Sequence, residues 1–227
     1  MPRGKSSKGT CGFCKAEVPK NGITKHLSAC PGRKSVVEKA ERRRVSSELL
    51  FHLRVQDASQ SEFWLDLEMR GTSSLEDLDY YLRGIWLECC GHLSRFSVGG
   101  WRGDEISESR KIGEVFKFRT ELTHIYDFGT SSETLIKAMG MREGKPINSY
   151  PIYLMARNLM PESKCMKCGE PAVWLCMECL IEEERWGTLC GKHAKTHPHD
   201  NYGGPLKLVN SPRLGMCGYD GPAAPPY

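Results

Sequence analysis

Apolar and polar residues alternate most regularly in the middle of the chain. Phe51, Leu53 and Val55 alternate with His52 and Arg54, and Phe63, Leu65, Leu67 and Met69 alternate with Trp64, Asp66 and Glu68. A period of two sends successive side chains to opposite faces, so these stretches predict two half-buried strands joined by a polar loop. The period then changes. Leu75, Leu78, Leu82 and Ile85 recur at three- and four-residue spacing and draw one apolar stripe along a helix. Ser73 and Glu76 offer it a capping box, and the stripe ends near Glu88. Phe96 and Val98 begin a strand that stops at Gly99-Gly100. Further strands are predicted over Glu121–Phe128 and Thr134–Met139, joined at Gly129, and through Ile152, Tyr153 and Leu154. The predicted fold class is α+β: a central mixed sheet with one main helix over residues 48–161, with small modules at both ends.

Those ends are rich in cysteine. The chain holds 11 Cys in 227 residues, shows no apolar N-terminal leader and has no apolar run long enough to cross a bilayer. The expected setting is therefore reducing and cytoplasmic, where C-x2-C pairs read as metal ligands rather than disulfides. Cys11 and Cys14 can place two thiolates on one ion, and a helix from Thr24 to Cys30 sets His26 and Cys30 on one face. Val18 and Ile23 would be the small core, and the 11-residue gap from Cys14 to His26 suits zinc. Residues 11–32 thus resemble a single C2HC-type zinc finger. Pro31-Gly32 is read as the end of its helix, and residues 33–47 as a basic linker with a short helix from Val36 to Arg44.

Residues 1–44 carry 12 Lys and Arg against 3 Asp and Glu, while the whole chain is only +4, so a basic arm sits on an acidic body. That asymmetry suits a polyanion such as DNA or RNA, with Lys20, Lys25, Arg42, Arg43 and Arg44 as candidate contacts. Residues 1–10 and 221–227 are expected to be disordered tails.

The C-terminal segment 162–220 has the pattern C-x2-C-x7-C-x2-C-x10-C-x2-H-x3-H-x-H: Cys165, Cys168, Cys176, Cys179, Cys190, His193, His197 and His199. Eight such ligands suffice for two closed tetrahedral zinc sites, or about three ions in the whole chain. The string is similar to B-box-type or treble-clef cross-brace modules. That likeness implies one site from Cys165, Cys168, Cys190 and His193, and another from Cys176, Cys179, His197 and His199. The spacing also permits a sequential arrangement, with Cys165, Cys168, Cys176 and Cys179 together. Cys217 is an alternative ligand that would replace His197 or His199.

In the centre, Leu75-Glu-Asp-Leu-Asp, Gly91-His92-Leu93-Ser-Arg-Phe96 and Tyr126-Asp127-Phe128-Gly129 resemble the plasmid ORF-3-like family, named from an Ri plasmid and including transposon passenger proteins. The likeness spans about Glu48 to Pro161 and implies a fold rather than an activity. The family continues with acidic and aromatic residues after Asp-Phe-Gly, where this chain has Thr130-Ser131-Ser132. Asp127-Phe128-Gly129 also matches the kinase metal-binding triplet, but the Gly-rich loop, lysine strand and catalytic loop that must accompany it are missing. Cys89, Cys90 and His92 offer a nucleophile pair or a further metal site, or simply buried side chains. No catalytic residue is assigned. The function expected is a non-enzymatic zinc protein that binds nucleic acid through its basic finger. The alternatives are a protein-interaction adaptor and a metalloenzyme with an open zinc; no membrane partner is expected.

Overall fold

The computed structural model describes residues 7–88, 90–116 and 121–222. Among these, the chain builds a nine-stranded, fully antiparallel sheet and a separate three-stranded one. The large sheet uses β1 (Lys8–Cys11), β2 (Glu17–Pro19), β3 (Glu48–Asp57), β4 (Trp64–Arg70), β5 (Ser94–Val98), β6 (Asp104–Ile106), β7 (Glu121–Tyr126), β8 (Ser132–Gly144) and β9 (Ile152–Asn158). Their order across the sheet is β2-β1-β9-β4-β3-β8-β7-β5-β6.

This corrects the predicted α+β class with one main helix. The helix α3 (Leu75–Leu82) is only eight residues long and passes into a π turn at Arg83–Leu87. The turn keeps Ile85, Trp86 and Leu87 buried beneath the sheet. The other helices are short: α1 (Lys20–Ala29), α2 (Pro31–Glu41), α4 (Ile112–Val115), α5 (Met177–Ile181) and α6 (Gly191–Lys195). Sheet, not helix, dominates because the N-terminal hairpin β1–β2 adds to the edge at β9 and the short β5–β6 pair extends the far side. The capping box also sits one residue later, with Ser74 and Asp77 exchanging bonds. Residues 73–77 read Ser-Ser-Leu-Glu-Asp, so two frames fit the motif. The chain selects the second because the Ser73 backbone is engaged with Arg70 and Ile112.

One face of the sheet is apolar. Phe51, Leu53, Val55, Leu65, Leu67, Met69, Leu122, Ile136 and Ile152 pack against Leu75, Leu78, Leu82, Ile85 and Trp86. Each such fully buried side chain stabilises by about 1.5–3 kcal/mol. The opposite face carries His52, Arg54, Trp64, Asp66 and Glu68, and it is not open to water. Every residue of β4 from Trp64 to Met69 is buried. Helices α1 and α2 lie over this face, so the strand predicted as half-buried is covered on both sides. Charges there are paired: Asp66 with Arg54 at 3.0 Å and with His52, Glu68 with Arg33 at 3.1 Å and with Arg142 at 2.7 Å. Buried carboxylates persist only where ion pairs and hydrogen bonds replace their lost water.

Two further expectations change. Lys8, Gly9 and Thr10 belong to β1 instead of a disordered tail, because they pair with Pro19, Val18 and Glu17 on one side and the last two with Asn158 and Arg157 on the other. Pro31-Gly32 starts a helix as well as ending one. Cys30 caps the end of α1 and the start of α2, and proline is favoured at the first helical position, where its missing N–H costs nothing. The expected tail at residues 221–227 lies largely outside the described residues.

The C-terminal part adds β10 (Trp174–Leu175), β11 (Thr188–Leu189) and β12 (Leu206–Lys207), in the order β11-β10-β12. Leu175, Met177 and Leu214 join the apolar core of the large sheet.

Candidate metal centres

The first centre lies at the edge of the large sheet. The tight turn after β1 holds Cys11 and Cys14, α1 supplies His26 one turn before its end, and Cys30 follows at the α1–α2 junction. Their ligand atoms all lie within 4.8 Å of one another. Sγ of Cys11 and Cys30 are 4.0 Å apart, and Cys14 Sγ is 3.3 Å from His26 Nε2. Ile23, Leu27, Trp64, Met155 and Ala156 pack around this set, so the finger core is continuous with the sheet.

The C-terminal ligands form two interleaved sets, Cys165, Cys168, Cys190, His193 and Cys176, Cys179, His197, His199. In the first, Cys165 Sγ is 3.3 Å from His193 Nδ1, Cys168 Sγ is 3.9 Å from Cys190 Sγ, and Cys190 Sγ is 3.4 Å from the same nitrogen. In the second, Cys179 Sγ is 3.4 Å from His197 Nε2 and 3.3 Å from His199 Nδ1, with Cys176 Sγ at 3.6 Å from that nitrogen. A tetrahedral zinc with ordinary Zn–S and Zn–N bonds separates two sulfurs by about 3.8 Å and a sulfur from a nitrogen by about 3.6 Å. The separations given above lie within about 0.3 Å of those values, and each set provides four protein donors.

The thiols of these clusters are shifted in both directions. Burial opposes ionisation of Cys165, but backbone N–H groups of Cys190, Lys167 and Cys168, helped by His193, bring its thiol down to about 6. Cys30 is likewise lowered: burial works against it, and the N–H of Arg33 and the neighbouring Cys14 and Cys11 outweigh it. Cys179 goes the other way, pushed up to about 12 by burial, Glu183 and Cys176. Two sulfurs and a carboxylate that crowd one point repel as anions, and a bound divalent cation removes that penalty. Glu183 also lies 3.9 Å from His199 Nε2, the ring nitrogen facing away from the thiols, where carboxylates orient metal-bound imidazoles.

Cys217 lies elsewhere. It is grouped with Cys90 and His92, beside the loop after the π turn, and not with His197 or His199. Cys89 lies outside the described residues. His124 is fully buried and its Nε2 sits 2.7 Å from Asp79 Oδ1, an internal pair with no opening to substrate. Asp127 accepts N–H bonds from Gly129 and Thr130, so Asp-Phe-Gly is a turn, tied to Arg213 at 2.9 Å.

The candidate cations divide into two groups. Lys20 donates to Gln56 and, at 2.6 Å, to the carbonyl of Ser61. Thr24, one turn later, accepts from Arg54, so this face of α1 lies on the sheet. Arg43 donates to the carbonyl of Pro146 at 2.8 Å. Lys25, Arg42 and Arg44 are exposed, as are Lys34 and Lys39.

No family model matches the chain. No curated protein matches it either. Among solved structures, a protein of unknown function from Methanosarcina mazei Go1 aligns with a TM-score of 0.41 and 19% identity, over 48% of this chain and 69% of that one.

Proposed function

We propose that the protein is a zinc-stabilised, non-enzymatic binding factor whose zinc-bearing N-terminal cap contacts nucleic acid. The observation that carries this reading is the outer surface of α1 and α2. Lys25 on α1, Lys34 and Lys39 on α2, and Arg42 and Arg44 just past its end are exposed, with Glu38 exposed among them and Glu41 turned to Arg142 and the Lys145 N–H. Lys20 and Arg43 serve the protein's own contacts in this reading, so the phosphate-facing set is Lys25, Arg42 and Arg44, extended by Lys34 and Lys39. The mode is backbone contact, because the face of α1 that a DNA-reading finger would insert is packed on β3 and β4. Three structural zincs fill the three four-donor sets. The ten free cysteines among the described residues support the reading of a reducing compartment. The resemblance of residues 48–161 to the plasmid ORF-3-like family belongs to the same proposal and contributes a scaffold, not a chemistry.

The decisive measurement is fluorescence anisotropy with labelled single- and double-stranded DNA and RNA across a salt series. Binding should weaken steeply with salt, and a Lys25→Glu, Lys34→Glu, Arg42→Glu triple variant should lose at least about tenfold in affinity at unchanged zinc content. Absence of binding to every probe at about 50 mM salt would sink the reading.

A second reading is a protein-interaction adaptor. Val173, Ile181 and Trp186 are large apolar side chains that are exposed on the C-terminal zinc module. A nuclease-resistant, stoichiometric protein partner lost on Trp186→Ala would favour it over the first.

A further inference from the structure

Every cysteine among the described residues falls into a Cys/His cluster, and three of those clusters have four donors. We propose that the remaining cluster, Cys90, His92 and Cys217, binds a fourth metal ion at a site with one coordination position left to solvent. The ligand atoms of the three residues lie within 4.8 Å of one another, close enough to converge on one ion. They come from segments more than a hundred residues apart, so sequence proximity does not explain the convergence.

Backbone conformation supplies an independent argument. In the first centre Cys14 is followed by Lys15 at φ 62°, and in the second Cys168 is followed by Gly169 at φ 77°. This left-handed residue after the second cysteine closes the knuckle, with Lys15 N–H bonding the Cys11 carbonyl and Gly169 N–H the Cys165 carbonyl. A right-handed to left-handed step turns successive N–H groups toward one point and makes an anion-binding concavity suited to a thiolate. The fourth cluster shares only the left-handed residue after each cysteine, because Cys217 is itself left-handed. Cys90 precedes Gly91 at φ 69°, and Cys217 precedes Gly218 at φ 80°. Cys217 is itself left-handed at φ 55°, a conformation that costs a non-glycine residue energy and needs a compensating interaction.

The surroundings hold the ligands in place without closing the site. The Gly91 N–H is held by Glu88, which is gripped by Arg83 at 3.0 Å. His92 Nε2 lies 3.6 Å from Asp127, and Asp127 is anchored by Arg213 from the same C-terminal segment as Cys217. On the tail side, Ser211 donates to the Trp86 carbonyl at 2.6 Å and Tyr219 to the Gly84 carbonyl at 2.9 Å. Cys90 and Cys217 are both exposed, and no fourth His, Cys, Asp or Glu ligand joins the set among the described residues. Two thiolates and one imidazole select a soft or borderline divalent ion such as Zn2+. Each thiol releases its proton to solvent as the ion binds. A Cys2His set with a free position is one that zinc uses where it must accept an exchangeable ligand.

The test is metal counting by native mass spectrometry on the full, reduced chain loaded with Zn2+. The expected count is four per wild-type chain and three for both Cys217→Ser and His92→Ala, with unchanged circular dichroism. After replacement by Co2+, added imidazole should alter the visible spectrum of wild type but not of Cys217→Ser. Cys89→Ser should keep four ions. A wild-type count of three, or a count unaffected by both His92→Ala and Cys217→Ser, overturns the site, as does a Cys90–Cys217 disulfide in the reduced preparation. A spectrum indifferent to imidazole, or loss of one ion in Cys89→Ser, overturns the open position. If Cys217→Ser fails to fold, His92→Ala and the wild-type count still decide. None of these readouts depends on nucleic-acid binding.

Discussion

Lys20 illustrates how a single cation changes meaning once its surroundings are known. In the sequence it is a basic residue at the start of a finger helix and a natural phosphate contact. In the fold its ammonium is partly buried against Gln56 and Ser61. Burial, with Arg54 adding repulsion, lowers its pKa from 10.5 to about 8. The sign of the consequence follows from proton counting. Between about pH 8 and 10.5 the native lysine has lost a proton that the unfolded chain still holds, so stability rises with pH in that window. Relative to Lys20→Met, wild type should therefore gain stability from pH 8 to 10 in urea melts. A constant difference between the two proteins over that range would contradict the assignment. The same position accounts for what was legible at this scale. Residue types that can ligate metal and their spacing are local, and the twelve Cys and His residues that converge in the three four-donor clusters could be named from the sequence. Whether a lysine meets water or a neighbouring strand depends on residues 36 and 41 positions away, Gln56 and Ser61, and no local pattern encodes that. Cys217 is the corresponding case among the ligands. Its identity marked it as a donor, but its partners Cys90 and His92 are set by the return of the tail. Cys-Gly pairs recur at Cys11, Cys90, Cys168, Cys190 and Cys217, so the dipeptide marks candidate donors without telling which of them meet.

At the scale of elements, strand β4 shows why the fold was only half readable. Its alternation of Leu65, Leu67 and Met69 with Trp64, Asp66 and Glu68 correctly marks a strand. The same alternation suggests that one face meets water, yet α1 and α2 cover it and Arg33, Arg54 and Arg142 neutralise it. Polar residues under a charged lid look identical in sequence to polar residues under solvent. With zinc held by the first cluster as proposed, the lid would lean on that centre, because the Cys/His set and the Trp64 contact share one small core. Such a core is too small to hold two helices without its ion, whose binding energy is folding energy. Cys14→Ser should therefore release α1 and α2 and expose Trp64 while leaving the apolar side of the sheet folded. The expected readout is a red shift in tryptophan emission that is absent in the Trp64→Phe background. Hydrogen exchange should also quicken at β9, which loses β1 as a partner. Unchanged emission with one zinc missing would show that the lid stands without metal.

On the scale of the whole molecule, boundaries drawn from composition do not coincide with cores. The segment from residue 162 onward reads as a zinc module of its own, but Leu175, Met177 and Leu214 complete the core built around Phe51, Leu53 and Trp86. The chain is therefore sewn together at its end, and Arg213 is the central stitch. It is 3% exposed, pairs with Asp127 at 2.9 Å, and donates to the Thr130 carbonyl at 3.0 Å and the Ser132 hydroxyl at 3.1 Å. Asp127 is held below its ordinary pKa: burial works against ionisation, and the Thr130 N–H and Arg213 overcome it. Removing Arg213 leaves a carboxylate with its partner gone, a change that typically costs about 3–5 kcal/mol. Arg213→Ala should therefore destabilise by about that amount in urea melts. The loss should spread beyond the tail, because Leu214 and Met216 leave the sheet with it. Limited proteolysis near Gly203 and Gly204 should accelerate in parallel. Arg213→Lys should recover only part of the stability, since one ammonium cannot bridge Asp127, Thr130 and Ser132 together. A cost below about 1 kcal/mol, the range of an exposed ion pair, would mean that the tail rests on the sheet rather than holding it.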